Sequence, residues 1–209
     1  MRPRSVVPQL IDYPHLAEWL KPRDPAQERV IDAFEEALVA LGVEGASFAK
    51  IAEQGGFPPS LIQHHFGNRA QLYRATLDRV IDLYSARVWV IEQEKNPLEG
   101  LLDWFFSPFG DGGPPRIACV VDAFIALANR DTDVRTQLST LYVNFASALQ
   151  RALDDTYPGL NSTKCYDAAY LIVCLAFGRA GMDALGVGGA SPSAAREACD
   201  TLIAALLEQ

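Results

Sequence analysis

An all-α fold, in which a compact three-helix unit precedes a larger helical body, is predicted by two properties of the sequence. Apolar residues recur at intervals of three or four almost throughout, whereas no segment shows the alternation expected of a half-buried strand. Glycine and proline divide this pattern into pieces of helix length. We find no internal repeat and no low-complexity tract, so each piece is treated as a separate helix.

The composition is typical of a soluble globular protein. The 209 residues are 49% hydrophobic and 21% charged, which is enough apolar material for a packed core. The formal net charge of −8 argues against indiscriminate nucleic-acid binding, so any such contact requires a local cluster of cations. The start has no apolar run of signal-peptide length, and no segment approaches ~18 uninterrupted apolar residues. We expect a cytoplasmic protein with no membrane partner.

The four cysteines are expected to be reduced, buried thiols rather than disulfides or metal ligands. They are scattered through apolar helical segments, with no CxxC pair and no histidine nearby in sequence. The four are Cys119, Cys165, Cys174 and Cys199.

The first helix is predicted from Ala26 to Leu41, with Gly42 as its left-handed stop. Its apolar stripe consists of Val30, Phe34, Leu38 and Leu41. The acidic residues of this segment fall mostly on other faces. They are Glu28, Asp32, Glu35 and Glu36.

Two short helices and a long one follow. Ser47 can cap a helix that ends at Gln54, before the paired glycines Gly55 and Gly56. Proline suits the first helical position, so a third helix is predicted over Pro59 to His65. Asn68 can cap a fourth helix that carries Leu72, Leu77 and Ile81 toward Glu94.

The remaining sequence predicts five further helices separated by glycine-rich loops. Their approximate bounds are Leu98 to Phe106, Arg116 to Ala128, Thr132 to Asp155, Thr163 to Leu185 and Pro192 to Glu208. The loops cover Gly110 to Pro115 and Gly186 to Gly189. The second loop, GVGG, is too bare to be a phosphate cradle. A Rossmann fingerprint would need a preceding strand, whereas the segment before this loop is helical.

The stretch GGFPPSLIQHHFGNR joins two short helices through a glycine turn, an arrangement whose second helix can enter the major groove of DNA. Together with ERVIDAFEEALVALGVEGAS, IAEQGGF and SLIQHHFGNRAQLYRATL, it closely resembles the DNA-binding domain of TetR-type transcriptional regulators. The resemblance covers roughly a quarter of the chain. It implies an N-terminal arm, partly flexible, over 1–24, a helix-turn-helix DNA-binding domain over 25–77, and a helical ligand-binding and dimerisation domain over 78–209.

The resemblance assigns roles in DNA binding by position. Ser47 matches a hydroxyl that contacts phosphate, and Arg69 stands where the family commonly has a phosphate-contacting lysine. The exposed positions of the recognition helix are held by Pro59, Ser60, Leu61, Gln63 and His64. The residues that hold the two helices together are Ile51, Ala52, Gly56, Ile62 and Phe66.

Side-chain chemistry supports part of this assignment. Gln63 can form a bidentate pair with adenine, worth ~1 to 3 kcal/mol of discrimination, and is the best candidate for base reading. Ser60 and His64 are better suited to phosphate contacts.

The paired histidines have three alternative interpretations. A metal site is weakly supported, because helix neighbours point about 100° apart and no third ligand follows at i+4. A catalytic pair lacks a nucleophile or carboxylate beside it, and no cofactor motif occurs. Packing of His65 beneath the helix is the third interpretation.

The sequence also departs from the family pattern. Pro58 stands where a capping serine or threonine is usual, and Ala49 and Pro59 occupy positions that are often basic. The domain carries few cations, chiefly Arg29, Lys50, Arg69 and Arg74, against six acidic residues. We therefore expect modest DNA affinity with a shallow salt dependence. Each phosphate that the protein neutralises adds only ~0.9 to the slope of log affinity against log salt concentration.

A basic arm before the first helix could reach a minor groove or adjacent phosphates. Its cations are Arg2, Arg4, Lys21 and Arg23. The alternative is a solvated terminus with a short HLAEWL turn packed on the body through Trp19.

The larger body is rich in aromatic residues, which at helical spacing are usually ordinary core. The family resemblance instead implies a pocket for a small-molecule effector of apolar or aromatic character. On that basis the predicted lining is Trp104, Phe105, Phe124, Tyr142 and Phe145, with Arg116 as an anchor for an anion.

The last two helices are dense in small residues, and in the family the corresponding pair forms a four-helix bundle across a two-fold axis. The predicted homodimer face consists of Ala169, Val173, Phe177, Ala198, Leu202 and Leu206. Intramolecular packing is the alternative. A two-fold dimer would read two half-sites of a near-palindromic operator on double-stranded DNA.

Two functions from different classes remain at this point. The first is a ligand-responsive, dimeric transcriptional regulator, by family default a repressor released from DNA by a small molecule. The second is a helical small-molecule-binding or interaction protein with weakened DNA binding. An enzyme finds no support in any nucleophile, metal or cofactor motif.

Overall fold

The structure, a computed structural model, describes residues 23–107, 116–187, 191 and 193–207. Within these ranges the chain forms nine helices and no strand, which confirms the predicted all-α fold class. The helices are α1 (Pro25–Gly45), α2 (Phe48–Gly55), α3 (Pro59–Phe66), α4 (Arg69–Glu92), α5 (Pro97–Phe106), α6 (Arg116–Ala128), α7 (Thr132–Thr156), α8 (Ser162–Ala184) and α9 (Ala194–Leu207). Most bounds lie within one or two residues of those predicted.

Helix α1 begins and breaks where its sequence dictates. The Asp24 carboxylate accepts a hydrogen bond from the Ala26 amide at 2.8 Å, and Pro25 occupies the first helical position. The backbone leaves helical geometry at Gly42, with φ 69° and ψ 174°, and one further turn ends at Gly45. Leu41, predicted to lie inward, is 49% exposed, because the stripe that packs inward stops at Leu38.

Capping side chains and glycines set the short helices apart. Ser47 Oγ accepts from the Lys50 amide at 3.3 Å, and Gly56 takes the left-handed conformation that ends α2. Pro58 precedes α3 without a side-chain cap, as predicted. Asn68 Oδ1 accepts from the Gln71 amide at 3.0 Å in the first turn of α4.

The chain divides into two compact units, and α4 and α7 contribute to both. The first contains residues up to Arg87 together with Pro115–Leu141. Three aromatic rings lie in its core. Phe34 stacks on Tyr73 with ring centroids 5.5 Å apart, and Phe124 packs edge-on against both, at centroid distances of 6.3 and 5.7 Å. Ile62 and Phe66 of α3 are buried in this unit.

The second unit contains Val88–Pro114 and the chain from Tyr142 onward. Its core includes Leu101, Leu102, Phe145, Leu149 and Ile172. Arg179 on α8 donates to the Phe106 carbonyl at 2.5 Å and so satisfies the C-terminal end of α5. The first compact unit thus contains α6 and the start of α7 together with α1 to α3 and most of α4. The predicted boundary at Leu77 separates a DNA-binding from a ligand-binding domain, and it stays a prediction.

The cysteines are only partly buried, and the apolar helix α8 is only partly enclosed. All four cysteines are free, but Cys174 is exposed and Cys119 half-buried, so the expectation of four buried thiols was wrong for these two. In the described part of the chain, α8 is the helix that is long and apolar enough to cross a membrane by length and composition. One of its faces belongs to the core of the second unit.

Candidate nucleic-acid interface

Helix α3, the predicted recognition helix, presents four of the five predicted residues to solvent. Pro59, Ser60, Gln63 and His64 are exposed and Leu61 is half-buried. The opposite side of the helix is anchored by Ile62, which has no exposed surface, and Phe66, which is 7% exposed. The helix therefore offers one polar face on a fixed apolar base, and Gln63 brings an amide that can both donate and accept.

A close contact that the sequence did not predict fixes the turn before α3. A Cβ atom placed on Gly55 would lie 2.0 Å from Cε1 of Phe57, so the ring occupies the space that any other side chain would need. The guanidinium of Arg29 lies 5.9 Å from the centre of the same ring. The Phe57 ring therefore lies between Gly55 and Arg29, beside the turn from α2 into α3.

Lys50 and Arg69, two of the cations near the recognition helix, have partners within the chain. Lys50 Nζ lies 2.8 Å from Glu53 Oε2, and this hydrogen bond lowers the pKa of the Glu53 carboxyl. Arg69 donates from Nη2 to the Val43 carbonyl at 2.5 Å and from Nε to the Tyr73 hydroxyl at 3.0 Å. Glu53 therefore offsets the charge of Lys50, whereas Arg69 keeps its charge but has two of its nitrogens engaged within the chain.

The two histidines do not share an orientation. Their rings meet edge-on at 5.0 Å, with His64 exposed and the His65 side chain only 13% exposed. Nδ1 of His65 lies 3.8 Å from Oδ2 of Asp24, at the start of α1. Packing of His65 beneath the helix is therefore the interpretation that the geometry favours. Across the described residues, no group of three or more His, Cys, Asp or Glu side chains could hold a metal ion.

Buried arginines and carboxylates join α1, α4 and α6. Arg79 contacts Glu28 at 2.8 Å, Asp32 at 2.9 Å and Glu35 at 2.5 Å. Burial works to lower the pKa of Arg79, but these carboxylates outweigh it and raise the pKa above its usual value. Arg79 therefore remains charged. Glu35 belongs to a polar face of α1 in the sequence, and nothing in its spacing indicated that it is buried.

Arg116 belongs to this cluster and not to an effector pocket. Its guanidinium lies 3.3 Å from Asp32, 3.2 Å from Glu35 and 3.3 Å from Glu36, so its charge is already compensated within the first unit. The prediction that Arg116 anchors an anionic ligand is corrected accordingly. Phe124 is also placed in the first unit, in the ring core with Phe34 and Tyr73.

Four of the predicted effector residues do come together, in the second unit. Phe145, 1% exposed, is ringed by Trp104, Phe105 and Tyr142 with centroids at 5.8, 5.4 and 6.2 Å. A fifth ring, Phe177, lies 4.7 Å from Tyr142 and stacks on Phe145 at 5.9 Å. Phe177, predicted to face a second copy of the chain, is half-buried and contacts this aromatic cluster within its own unit.

The outward face of α8 differs from the predicted one. Ala169 and Val173 are 0% and 6% exposed because they pack inside their own unit. The apolar residues that α8 turns outward are Tyr170, Leu171, Leu175 and Met182, with Cys174, Gly178 and Gly181 between them. We call these seven residues the α8 face. On α9, Ala198 is exposed and Leu202 half-buried, while the Leu206 side chain lies outside the described residues.

Of the four cations of the predicted basic arm, Arg23 lies among the described residues. Arg2, Arg4, Lys21 and Trp19 lie outside the described residues. Arg23 is folded against the first unit, with Nη2 2.7 Å from Asp82 Oδ2 and Nη1 3.7 Å from Glu28. Arg23 is therefore not part of a tail that reaches toward DNA.

Comparisons with known proteins agree with the predicted resemblance. No family model matches the chain. Two curated relatives from Pseudomonas putida, the HTH-type transcriptional regulator TtgR and the probable HTH-type transcriptional regulator ArpR, are each 36% identical over 81 residues. That match covers 36% of this chain and 39% of each relative, so the chain spans about two-fifths of the length of the relatives it matches.

Solved structures extend the similarity to most of the chain. A TetR transcription regulator from Haloarcula marismortui has a TM-score of 0.73 at 13% identity, covering 86% of this chain and 97% of its own. A transcriptional regulator from Rhodococcus sp. Rha1 has a TM-score of 0.69 at 23% identity, with coverages of 87% and 96%. These similarities show the fold and confirm the predicted resemblance to TetR-type regulators.

Proposed function

We propose that this chain, which has the fold of TetR-type regulators, is a dimeric DNA-binding transcriptional regulator that a small molecule releases from its operator in the cytoplasm. The observation that carries the proposal is the recognition helix α3. Its apolar side is anchored by Ile62 and Phe66, and its polar side presents Gln63 and its neighbours to solvent. Such a helix can enter the major groove while the rest of the domain lies along the backbone.

Within that interface Gln63 reads a base, by a bidentate pair with adenine. Ser47, Ser60 and His64 contact phosphate, while Pro59 and Leu61 supply apolar contacts. Two of the three hydrogen-bonding nitrogens of Arg69 are held inside the chain, so Arg69 contributes to DNA binding through its remaining edge and by holding the loop at Val43. The few free cations give a shallow salt dependence.

Two such helices in a two-fold dimer read a near-palindromic operator on double-stranded DNA. We place the dimer contact on the α8 face and on small residues that α9 exposes, including Ala194, Ala198, Thr201 and Ala205. A Cβ atom placed on Gly178 or Gly181 would meet nothing within 4 Å, so a second helix could approach α8 closely there.

The effector site is assigned to the aromatic cluster of Trp104, Phe105, Tyr142, Phe145 and Phe177. Four of these rings are half-buried, so they can rearrange around an apolar or aromatic molecule more easily than Phe145 can. A ligand changes DNA affinity only through different affinities for the two states of the protein. Native mass spectrometry of the purified protein, compared with Trp104→Ala, tests for a co-purified molecule at this site.

A gel-shift assay with the DNA that flanks the protein's own coding region tests the proposal against its alternative. The alternative is a helical small-molecule-binding or interaction protein with weakened DNA binding, favoured by the Lys50–Glu53 pair and the internal contacts of Arg69. A shift at low salt supports the regulator. The absence of any shift at low salt supports the alternative.

A further inference from the structure

The cluster of buried arginines and carboxylates is the most heavily charged interior feature among the described residues, and none of its members lies on the recognition helix. Arg79 and Glu35 have side chains only 6% exposed, and Arg116 is 13% exposed. The Nε atoms of both arginines are buried without a hydrogen-bond partner. Incomplete pairing of this kind is a poor way to gain stability, since apolar residues of similar volume often do as well or better.

Arg116 connects this cluster to the first residue of a different helix, because α6 begins there. Its Nη2 reaches Asp32 Oδ1 and Glu35 Oε2, and its Nη1 reaches Glu36 Oε1. The three carboxylates lie on α1, so the start of α6 is held against α1 by one planar fork. Arginine suits this task better than lysine, because its rigid planar fork presents donors from separate nitrogens in fixed directions, whereas a lysine ammonium is a compact charge at one atom.

Glu36 contacts both Arg116 and a residue of α2. While Oε1 faces Arg116, Oε2 accepts a hydrogen bond from Gln54 Nε2 at 2.9 Å. Gln54 lies in the last turn of α2, directly before Gly55 and the turn into the recognition helix. A single carboxylate thus links the start of α6 to the end of α2.

We propose that Arg116 is a positioning residue for DNA reading, which orients Glu36 so that Gln54, and with it the turn from α2 into α3, is held in one place. The proposal rests on the proposed function for its purpose, but the contacts themselves do not involve DNA. Arg116, at the start of α6, thereby limits the motion of the turn before α3 without contacting DNA itself.

Hydrogen–deuterium exchange of the full-length protein without DNA tests the positioning role directly. In Arg116→Gln, amides of Gly55–Phe66 should exchange about three- to tenfold faster than in wild type, the range expected for the loss of one typical hydrogen bond. Arg130→Gln is the matched control, because Arg130 is an exposed arginine that lies 3.5 Å from exposed Glu44. It should leave the same amides unchanged.

Gln54→Ala provides a second variant, at an exposed position where folding is not at risk. Alone it should accelerate the same amides, and in the Arg116→Gln background it should add nothing, because both changes break one connection. Faster exchange confined to α1 and α6, or additive effects of the two changes, would overturn the proposal and leave Arg116 a purely structural residue.

Operator binding supplies the functional readout. Arg116→Gln should raise the dissociation constant of the protein–DNA complex about tenfold. The slope of log affinity against log salt concentration should stay unchanged, because no phosphate contact is lost. An unchanged dissociation constant would overturn the proposal even if the melting temperature falls. If wild type binds no DNA at all, the proposed function fails, while the exchange experiment still decides whether Arg116 positions the turn.

Discussion

Two successive glycines, Gly55 and Gly56, look alike in the sequence and serve different purposes in the structure. Gly56 has φ of 63°, the left-handed conformation that ends α2, and a Cβ atom there would meet nothing within 4 Å. Gly55 is helical, but its missing Cβ makes room for the Phe57 ring. Sequence reasoning predicted the helix break and could not predict the ring contact, since that depends on the direction of one side chain.

Gly55→Ala should lower the free energy of unfolding by about 1 to 3 kcal/mol, because the new methyl group and the Phe57 ring need the same space. Urea unfolding of the purified protein measures the loss. Phe57→Leu supplies the control background, where the same glycine change should cost much less. If Gly55→Ala lowers the free energy of unfolding equally in wild type and in Phe57→Leu, the Phe57 ring is not the reason that residue 55 must be glycine.

The Cys199 thiol should resist alkylation at pH 8. Burial raises its pKa to about 11, and only the thiolate reacts. The thiol therefore stays protonated below that value, and labelling should accelerate as the pH rises toward it. Mass spectrometry after iodoacetamide treatment can follow Cys199 in native and urea-unfolded protein. Equal rates in the two states at pH 8 would contradict the burial.

At the scale of helices, periodicity predicted the order and most bounds but not always the face that packs inward. Helix α8 is apolar on more than one side, so spacing alone could not tell the core face of Ala169 and Val173 from the outward α8 face. Helix α1 shows the opposite problem. Glu35 is buried because Arg79 and Arg116, 44 and 81 residues later in the sequence, supply its counter-charges.

Arg79→Met should destabilise the protein by roughly 3 to 5 kcal/mol, because it leaves the buried Glu35 carboxylate without its shortest ion pair. The control is Arg151→Met. Arg151 pairs with Glu92 at 2.6 Å but is 59% exposed, and such surface pairs contribute about 0 to 1 kcal/mol. Chemical denaturation of both variants gives the comparison. Similar losses in the two would mean that the buried cluster contributes no more than a surface pair.

For the whole molecule, the sequence predicted the fold class and the two short helices around the glycine turn, because these follow from local spacing and capping. The family resemblance predicted the exposed positions of α3, and four of the five are exposed, whereas Leu61 is half-buried. It predicted the aromatic cluster of the second unit only in part, and the binding of an effector there stays a prediction. Trp104, Phe105, Tyr142 and Phe145 form one cluster, whereas Phe124 packs in the other unit. Which aromatic residues share a core depends on contacts between distant segments, and a single sequence does not contain that information.

Dimerisation through the α8 face predicts that Leu171→Arg yields monomers. Leu171 is 47% exposed in the single chain, and an arginine there would be buried unpaired against a second copy. Val143→Arg is the control, since Val143 is 48% exposed on α7 outside the α8 face. Analytical ultracentrifugation should find dimers of wild type and Val143→Arg. A monomeric wild type, or a dimeric Leu171→Arg, would refute the assignment.

The most direct test of DNA reading is a fluorescence-anisotropy titration of the flanking operator DNA with wild type, Gln63→Ala and Gln93→Ala. Gln63 is exposed on α3, whereas Gln93 is an exposed glutamine of the second unit. Gln63→Ala should weaken binding by about 1 to 3 kcal/mol with the salt slope unchanged, because a base contact and no phosphate contact is lost. Gln93→Ala should bind as wild type does. Equal affinities of Gln63→Ala and Gln93→Ala, or no binding by wild type at low salt, would contradict the account.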